Sequence, residues 1–353
     1  MRVGIVGLMG SGRKTLFRLL THVAGAEATQ GAQVGVLKIL DERLETLAQL
    51  SRSRKSTPAT IDFVLLPGLV KGEAEKLDLA AIRNVDVLAV AVRAFSDPSV
   101  PHPEGSVDAA RDADTVELTL TLADLALVEG RLERLRAELK KGKKPARPEE
   151  LAALERAEKI LSAGGAVREA LSPEEQRVLG GYALLTAKPV LFVVNVDEPD
   201  AARVDLARSL GLERQVGRPA RAVVFVSARV EAEIAELPPE EARLFRVELG
   251  LVEGTVERVV RAAFDLTEMV TFFTASDEES RAWIIHRGTP ASRAAGTIHS
   301  DMERGFIRAE VVSYPVLTRE GSWSHCRDKG LLRLEGKDYP MAEGDVVYFR
   351  FNV

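Results

Sequence analysis

Met1-Arg-Val-Gly-Ile-Val-Gly-Leu-Met-Gly-Ser-Gly-Arg-Lys-Thr-Leu-Phe17 opens the chain, and its reading decides the fold. Arg2 to Val6 supply the apolar run of a buried strand, and Gly7 to Gly12 a glycine-rich turn. From Lys14 onward a helix follows whose Leu16, Phe17, Leu19 and Leu20 share a face. That order is the layout of a phosphate loop, G-x-x-x-x-G-K-[ST], in which inward N–H groups cradle phosphates. Its Lys reaches the β and γ oxygens and its hydroxyl holds Mg²⁺. Gly7 and Gly12 keep the spacing, with Gly10 and Ser11 between them. Arg13 and Lys14 stand where the Lys and the hydroxyl belong, and Thr15 comes one step late. The cradle survives while the chemistry at its mouth is altered.

Working outward, strand and helix alternate. Val34 to Leu40 reads as a second strand, 41–50 as a helix with leucines at helical spacing, Ile61 to Leu66 as a third strand and Val87 to Val92 as a fourth. Val190 to Val194 and Ala222 to Val226 follow much later, and such near-continuous apolar runs belong to parallel sheets covered on both faces. The expectation is a doubly wound α/β sheet with an insertion. Between Asp112 and Leu184 a long leucine-bearing helical pattern breaks at Gly142 and Pro145 and returns over 148–163, which predicts an antiparallel helical hairpin. Its tip is basic, with Lys140, Lys141, Lys143 and Lys144. It reads either as a solvated hairpin end or as a contact for RNA phosphates. After Phe264 short strands separated by turn residues predict a separate β-rich domain.

Composition narrows the classes. A chain of 353 residues, 46% hydrophobic and 29% charged, can bury a sizeable core. A formal net charge of -5 argues against a surface generally coated by nucleic acid. A single cysteine, Cys326, makes no internal disulfide, and the N-terminus reads as a strand, so a reducing cytoplasm is expected, with no membrane-spanning run.

Gly7 to Thr15, Pro67-Gly68-Leu-Val-Lys-Gly72, Asn195-Val-Asp-Glu198, Ser227-Ala228, the stretch from Ile298 to Glu310 and Glu335-Gly-Lys-Asp338 together resemble the YchF family of Obg-related P-loop NTPases. The resemblance covers nearly the whole chain. It implies a Ras-like P-loop domain (1–112 and 185–265), an inserted helical hairpin or coiled coil (113–184), and a C-terminal TGS module of ubiquitin-like β-grasp fold (266–353). It also implies ATP or GTP as ligand, with Gly7, Gly10, Ser11, Gly12, Arg13, Lys14, Thr15, Asn195, Glu198, Ser227 and Ala228 around it. Asn195 and Glu198 match the family's adenine-reading N-x-x-E, and the ribosome or RNA is the implied partner through the hairpin tip and the TGS module.

Departures from the family pattern cluster on the catalytic side. The D-x-x-G segment reads Leu65-Leu-Pro-Gly68, so an alkyl group replaces the carboxylate that organises Mg²⁺, and the glycine-rich switch beyond Gly72 is shortened. Thr15 and Thr29 are the remaining candidates for the metal. Phosphoryl transfer is catalysed by positioning and charge, and one such loss costs ~10² in rate or more. Two readings follow: a pseudo-NTPase scaffold presenting its hairpin and β-grasp module to a translation-linked partner, or a slow nucleotidase using Arg13 or Lys14. No catalytic residue is assigned with either. His299 and Asp301 read as fold maintenance or partner contact, Cys326 as a surface or half-buried thiol, and Trp283 and Trp323 as core of the small domain.

Overall fold

Twelve strands are seen among the described residues. They are β1 (Arg2–Val6), β2 (Gln33–Lys38), β3 (Lys55–Thr57), β4 (Thr60–Leu65), β5 (Val87–Arg93), β6 (Val190–Asn195) and β7 (Arg221–Val226), then β8 (Met269–Ala275), β9 (Glu279–His286), β10 (Phe306–Ser313), β11 (Arg333–Glu335) and β12 (Asp345–Phe351). The structure is a computed structural model and describes residues 1–23, 31–69, 79–142, 147–200, 205–251 and 253–352. Thr29, Lys143, Lys144 and the shortened switch stretch at 73–77 lie outside the described residues.

The first sheet runs β2-β4-β1-β5-β6-β7. β1 pairs in parallel with both β4 and β5, and β6 and β7 continue in parallel. The apolar runs read from the sequence are the reason: Val87 to Arg93 is buried at every position, as a strand covered on both faces must be. The helix Ala109–Lys140, 32 residues long, serves two cores. Ala109, Ala113, Val116 and Leu120 pack with the sheet, whereas Val128, Leu132 and Leu135 pack with Ala153, Leu154, Ala157 and Leu161 of the helix Pro148–Ser162. The predicted hairpin is therefore present, but its long helix starts inside the sheet's own core. Asp124, on that helix, is fully buried and accepts from the Leu185 and Thr186 amides at 3.0 and 2.7 Å, which fastens the chain's return into β6. Burial pushes its carboxyl up and those hydrogen bonds oppose it.

The second sheet runs β11-β10-β12-β8-β9-β3. β8 and β9 form an antiparallel hairpin, β10 pairs antiparallel with β11 and β12, and β12 runs parallel to β8. With the helix Ala291–Ile298 after the first hairpin, this is the β-grasp arrangement, plus one added edge strand. That edge, β3, comes from the N-terminal half of the chain and pairs in parallel with β9.

The chain divides into two units, Arg2–Gly35 with Asp62–Leu266, and Val36–Ile61 with Thr267–Val353 and Met1. Val36–Ile61, which the sequence pattern places in the nucleotide-type domain, thus packs with the C-terminal unit. Leu44 and Leu47 of the helix Glu42–Ser51 are buried among Phe273, Val312, Leu317 and Val346. Arg43 bonds Asp41 and also reaches Glu343 at 2.6 Å, and Lys55 pairs with Glu279 at 2.9 Å.

Candidate functional site: a cleft at the phosphate loop

In the first unit the chain turns from β1 toward β2 and β4 on one side, and β5 to β7 extend on the other. The reversal leaves a crevice outside the carboxyl ends of the strands between β1 and β5, where open α/β sheets bind ligands. A cleft of about 700 Å³ is found there. Its floor is Met9 to Thr15, and Phe95, Ser96, Asp97, Asn195 and Ala228 stand around it.

The loop's backbone is set by glycines. Gly10 and Gly12 have φ of 76° and 87°, and Gly12 also precedes the helix Arg13–Thr21. A Cβ on Gly12 would lie 2.3 Å from Asn195 Nδ2, so the loop and the end of β6 approach closely only because no side chain intervenes. Asn195 Oδ1 in turn accepts from the Ala228 amide at 3.0 Å, which ties β6 to the helix Ala228–Ile234.

Arg13 carries the largest departure from an ordinary phosphate loop. It is 8% exposed, Nε donates to Leu8 O at 3.3 Å, and Nη1 donates to Leu66 O. No carboxylate pairs with it among the described residues. Burial alone pulls its pKa down to about 10, so the guanidinium stays charged at neutral pH. Gly68, the glycine kept from D-x-x-G, makes room for it: a Cβ there would sit 2.5 Å from Nη2. The guanidinium therefore ties the phosphate loop to the segment after β4, and Leu69 N donating to Gly7 O at 2.9 Å adds a second tie. Leu65, which the sequence reading sets at the carboxylate position of D-x-x-G, is 4% exposed in the core.

Lys14 and Thr15 are exposed and line the cleft, as does Ser11. The Ser11 hydroxyl is buried with no hydrogen-bond partner, an orphaned polar atom on the wall of a cleft. Glu198 is exposed in a short 3-10 turn and does not line the cleft, and neither does buried Ser227; Ala228 does. The carboxylate used next to Asn195 is Asp197, which accepts from the Ser96 amide at 3.0 Å. Sequence reading missed the wall formed by residues 95–100. Buried Arg93 builds it, donating to the carbonyls of Phe95, Asp97 and Val100 at 3.2, 3.0 and 2.8 Å with its guanidinium 4.6 Å from the Phe95 ring centroid. An arginine closing an all-apolar strand was the available signal. Arg229, Ala232 and Glu233 were missed as well, although their spacing puts them on one face of the helix after Ser227, and Glu236 lines the cleft from the turn beyond that helix.

Lys140 and Lys141 are exposed at the end of their helix and form no ion pair among the described residues. The hairpin is closed lower down by Glu150, which accepts from Tyr182 and from Arg131 at 3.0 Å. In the C-terminal unit His299 Nδ1 accepts from the Asp301 amide at 3.2 Å and so caps the helix Ser300–Arg304. Cys326 is not a surface thiol: it is fully buried beside Val346 and Leu317, and burial pushes it up. Trp283 stacks on Phe272 with ring centroids 6.3 Å apart, and Trp323 packs against the same core as Cys326. Among the described residues no helix is long and apolar enough to cross a membrane.

Known proteins resemble the chain over its whole length. Residues 269–352 match the family model YchF-GTPase_C, described as a protein of unknown function (DUF933). The ribosome-binding ATPase YchF of Bacillus subtilis is 38% identical over 366 residues, covering 100% of each chain. The ribosome-binding ATPase YchF of Haemophilus ducreyi is 40% identical over 365 residues, covering 100% of this chain and 99% of its own. Among solved structures, the YchF GTPase of Schizosaccharomyces pombe superposes with a TM-score of 0.82 at 27% identity, covering 99% of this chain and 97% of that one. A GTP-binding protein of Pyrococcus horikoshii shares the fold, with a TM-score of 0.60 at 15% identity and full coverage of both chains. With relatives this similar over its whole length, the chain belongs to the YchF family.

Proposed function

We propose that the chain is a cytoplasmic, ribosome-associated member of its family whose cleft binds ATP or GTP with little or no turnover. The observation that carries this reading is the donor set. Arg13 is committed to the carbonyls of Leu8 and Leu66, an ammonium (Lys14) stands for the metal's hydroxyl, and buried Leu65 stands for its carboxylate. That set does not fit Mg²⁺, which takes oxygen ligands. Thr15 is the described hydroxyl nearest in sequence to the metal position, and Thr29 is the second metal candidate. The nucleotide itself fits. Turned-in amides of residues 10–12 and the orphaned Ser11 hydroxyl would meet phosphate oxygens, and the charged Arg13 lining the cleft would offset their charge.

Base choice favours adenine through Asn195. Because Glu198 stands outside the cleft, its share is the weaker half of the N-x-x-E reading. The same proposal keeps the three-part division at residues 112, 184 and 265, with residues 36–61 added to the C-terminal part. The basic hairpin tip, Lys140 and Lys141 with Lys143 and Lys144, is the contact for ribosomal phosphate.

Slow hydrolysis is the second reading, favoured by the intact cleft and by relatives named ATPases. Calorimetry with ATP, GTP and ADP, each with and without Mg²⁺, separates the two. Little response of affinity to Mg²⁺ is expected. Tightening by tenfold or more, worth about 1.4 kcal/mol, overturns the metal-independent reading. A clear preference for GTP overturns the assignment of the base. Ribosome co-sedimentation of the four-lysine alanine variant and of Arg13→Ala with Lys14→Ala tests the partner surface: binding lost only in the loop variant moves the contact to the cleft.

A further inference from the structure

Arg221 opens β7 and pairs with Val190, the first residue of β6, so it stands at the end of the sheet opposite the cleft. A pocket of about 220 Å³ lies beside it. Three segments wall it: Glu117 and Thr121 of the helix Ala109–Lys140, residues 164–169 where the hairpin returns toward the sheet, and Arg214 to Arg221 leading into β7. A single water needs only about 15 Å³ of such space, so there is room for a small ligand. Gly164 lines the pocket with nothing within 4 Å of where a Cβ would stand, which leaves that side open.

The hydrogen bonding here is incomplete. Arg168 is 8% exposed; its Nη1 donates to Thr186 O at 3.4 Å and its Nη2 to Glu117, but the buried Nε has no partner. Glu169 Oε1 stands 4.0 Å from that Nε. The carboxylates are already engaged. Glu117 binds Arg168 and, at 2.7 Å, Arg221, while Glu169 takes Arg221 and, at 3.6 Å, Arg218. Gln215 accepts from Arg221 and donates to Asp114 at 3.4 Å. Arg214 lines the pocket with no ion pair among the described residues. Four guanidinium groups therefore face three carboxylates, Asp114, Glu117 and Glu169. Burial pulls the Arg168 pKa down, Glu117 opposes this, and the neighbouring Arg221 adds to it. A buried donor left unpaired is costly, and a charge-assisted hydrogen bond to an anion removes that cost.

We propose that this pocket is an anion site separate from the cleft, holding a phosphate group between Arg168 on the hairpin side and Arg214, Arg218 and Arg221 on the sheet side. A phosphate offers acceptor oxygens in several directions, which suits guanidinium groups that arrive from separate segments, whereas a flat monocarboxylate meets one side only. A cation is disfavoured by the excess of arginine, and an apolar ligand by the charged lining. The group is either the free ion or the phosphoryl end of a larger molecule. Because the walls belong to the hairpin's return and to the approach to β7, an occupied site ties the two together. The phosphate loop takes no part, so the site stands whether or not the cleft binds a nucleotide.

The test titrates the full chain with inorganic phosphate by calorimetry at fixed ionic strength, beside the loop variant Arg13→Ala with Lys14→Ala, because the cleft is the other place a phosphate would go. Binding should survive in the loop variant. Arg214→Gln with Arg218→Gln changes two exposed side chains, leaves both arginine pairs of Glu117 in place and is expected to fold. It should weaken phosphate binding about tenfold. Arg168→Lys keeps the charge but removes Nε, and should also weaken it about tenfold. Should Arg168→Lys fail to fold, the exposed pair alone decides. Competition by a nucleoside monophosphate supports the site with a phosphoryl end as its ligand, and phosphate binding without such competition supports it with the free ion. No phosphate binding, binding lost in the loop variant, unchanged affinity in the Arg214 and Arg218 variant, or equal affinity for acetate overturns the proposal.

Discussion

Arg13 and the group Arg308, Arg327 and Arg350 place the same side chain in opposite settings. Arg13 is buried, bound to carbonyls and without a carboxylate; the three arginines are half exposed around Glu310 of β10 in the C-terminal sheet. In the cleft the backbone is the device, because glycines let the loop, β6 and the segment after β4 approach within side-chain distance. On the sheet the side chains make the surface. A cation inside a protein must be matched by fixed dipoles, while one at the surface is free to meet a polyanion. Substitutions of the glycines that frame the cleft should therefore damage stability more than substitutions of the surface arginines do.

The largest expected effect is on the frame of the cleft. Gly7 has φ 152°, and a Cβ there would stand 2.4 Å from Ala91 O, a backbone atom that cannot turn aside. Gly7→Ala should cost about 4 kcal/mol, read as the urea midpoint of unfolding. A change under about 1 kcal/mol would show that the loop is not backbone-determined. Leu47→Ala comes next, at about 3 kcal/mol, since Leu47 is fully buried with Phe273 and Val346. Near-neutral behaviour would return residues 36–61 to the nucleotide-type unit.

Arg13→Ala sharpens the contrast. Losing its two hydrogen bonds is offset by removing an unpaired buried charge, so stability should change little while nucleotide affinity without Mg²⁺ falls about tenfold, measured by calorimetry. Unchanged affinity would reduce Arg13 to a structural tie. The smallest effect belongs to the hairpin. The Tyr182 hydroxyl, then Arg131, hold the Glu150 carboxyl below its usual range against burial. A depressed carboxylate pKa adds stability above the unfolded value of about 4.3, and that stability is lost as pH falls through the folded value. Glu150→Gln should therefore cost about 1 kcal/mol near neutral pH and progressively less as pH falls below about 4.3, by thermal unfolding. A constant deficit would mean that packing, not charge, is lost.

The strand-loop-helix opening, the parallel sheet, the hairpin and the β-rich end were legible because each rests on local periodicity and on glycines at fixed spacing. Apolar runs such as Val87 to Val92 admit few environments, and the changed residues Arg13, Lys14 and Leu65 could be named from the chain alone. Which surface an amphipathic element meets could not. The leucines of the helix Glu42–Ser51 require an apolar partner without specifying one, and the partner lies more than two hundred residues away at Phe273 and Val346. The same holds for side-chain direction. An arginine after Gly12 reads as a phosphate ligand, and only the position of the Leu66 carbonyl and the space left by Gly68 turn it inward. Likewise Glu198 follows Asn195 in the chain yet leaves the cleft, because Asp197 is the carboxylate that meets Ser96. Local pattern determines which elements form and how polar each face is. Burial, and with it the partner of every buried charge, is decided only when distant segments converge.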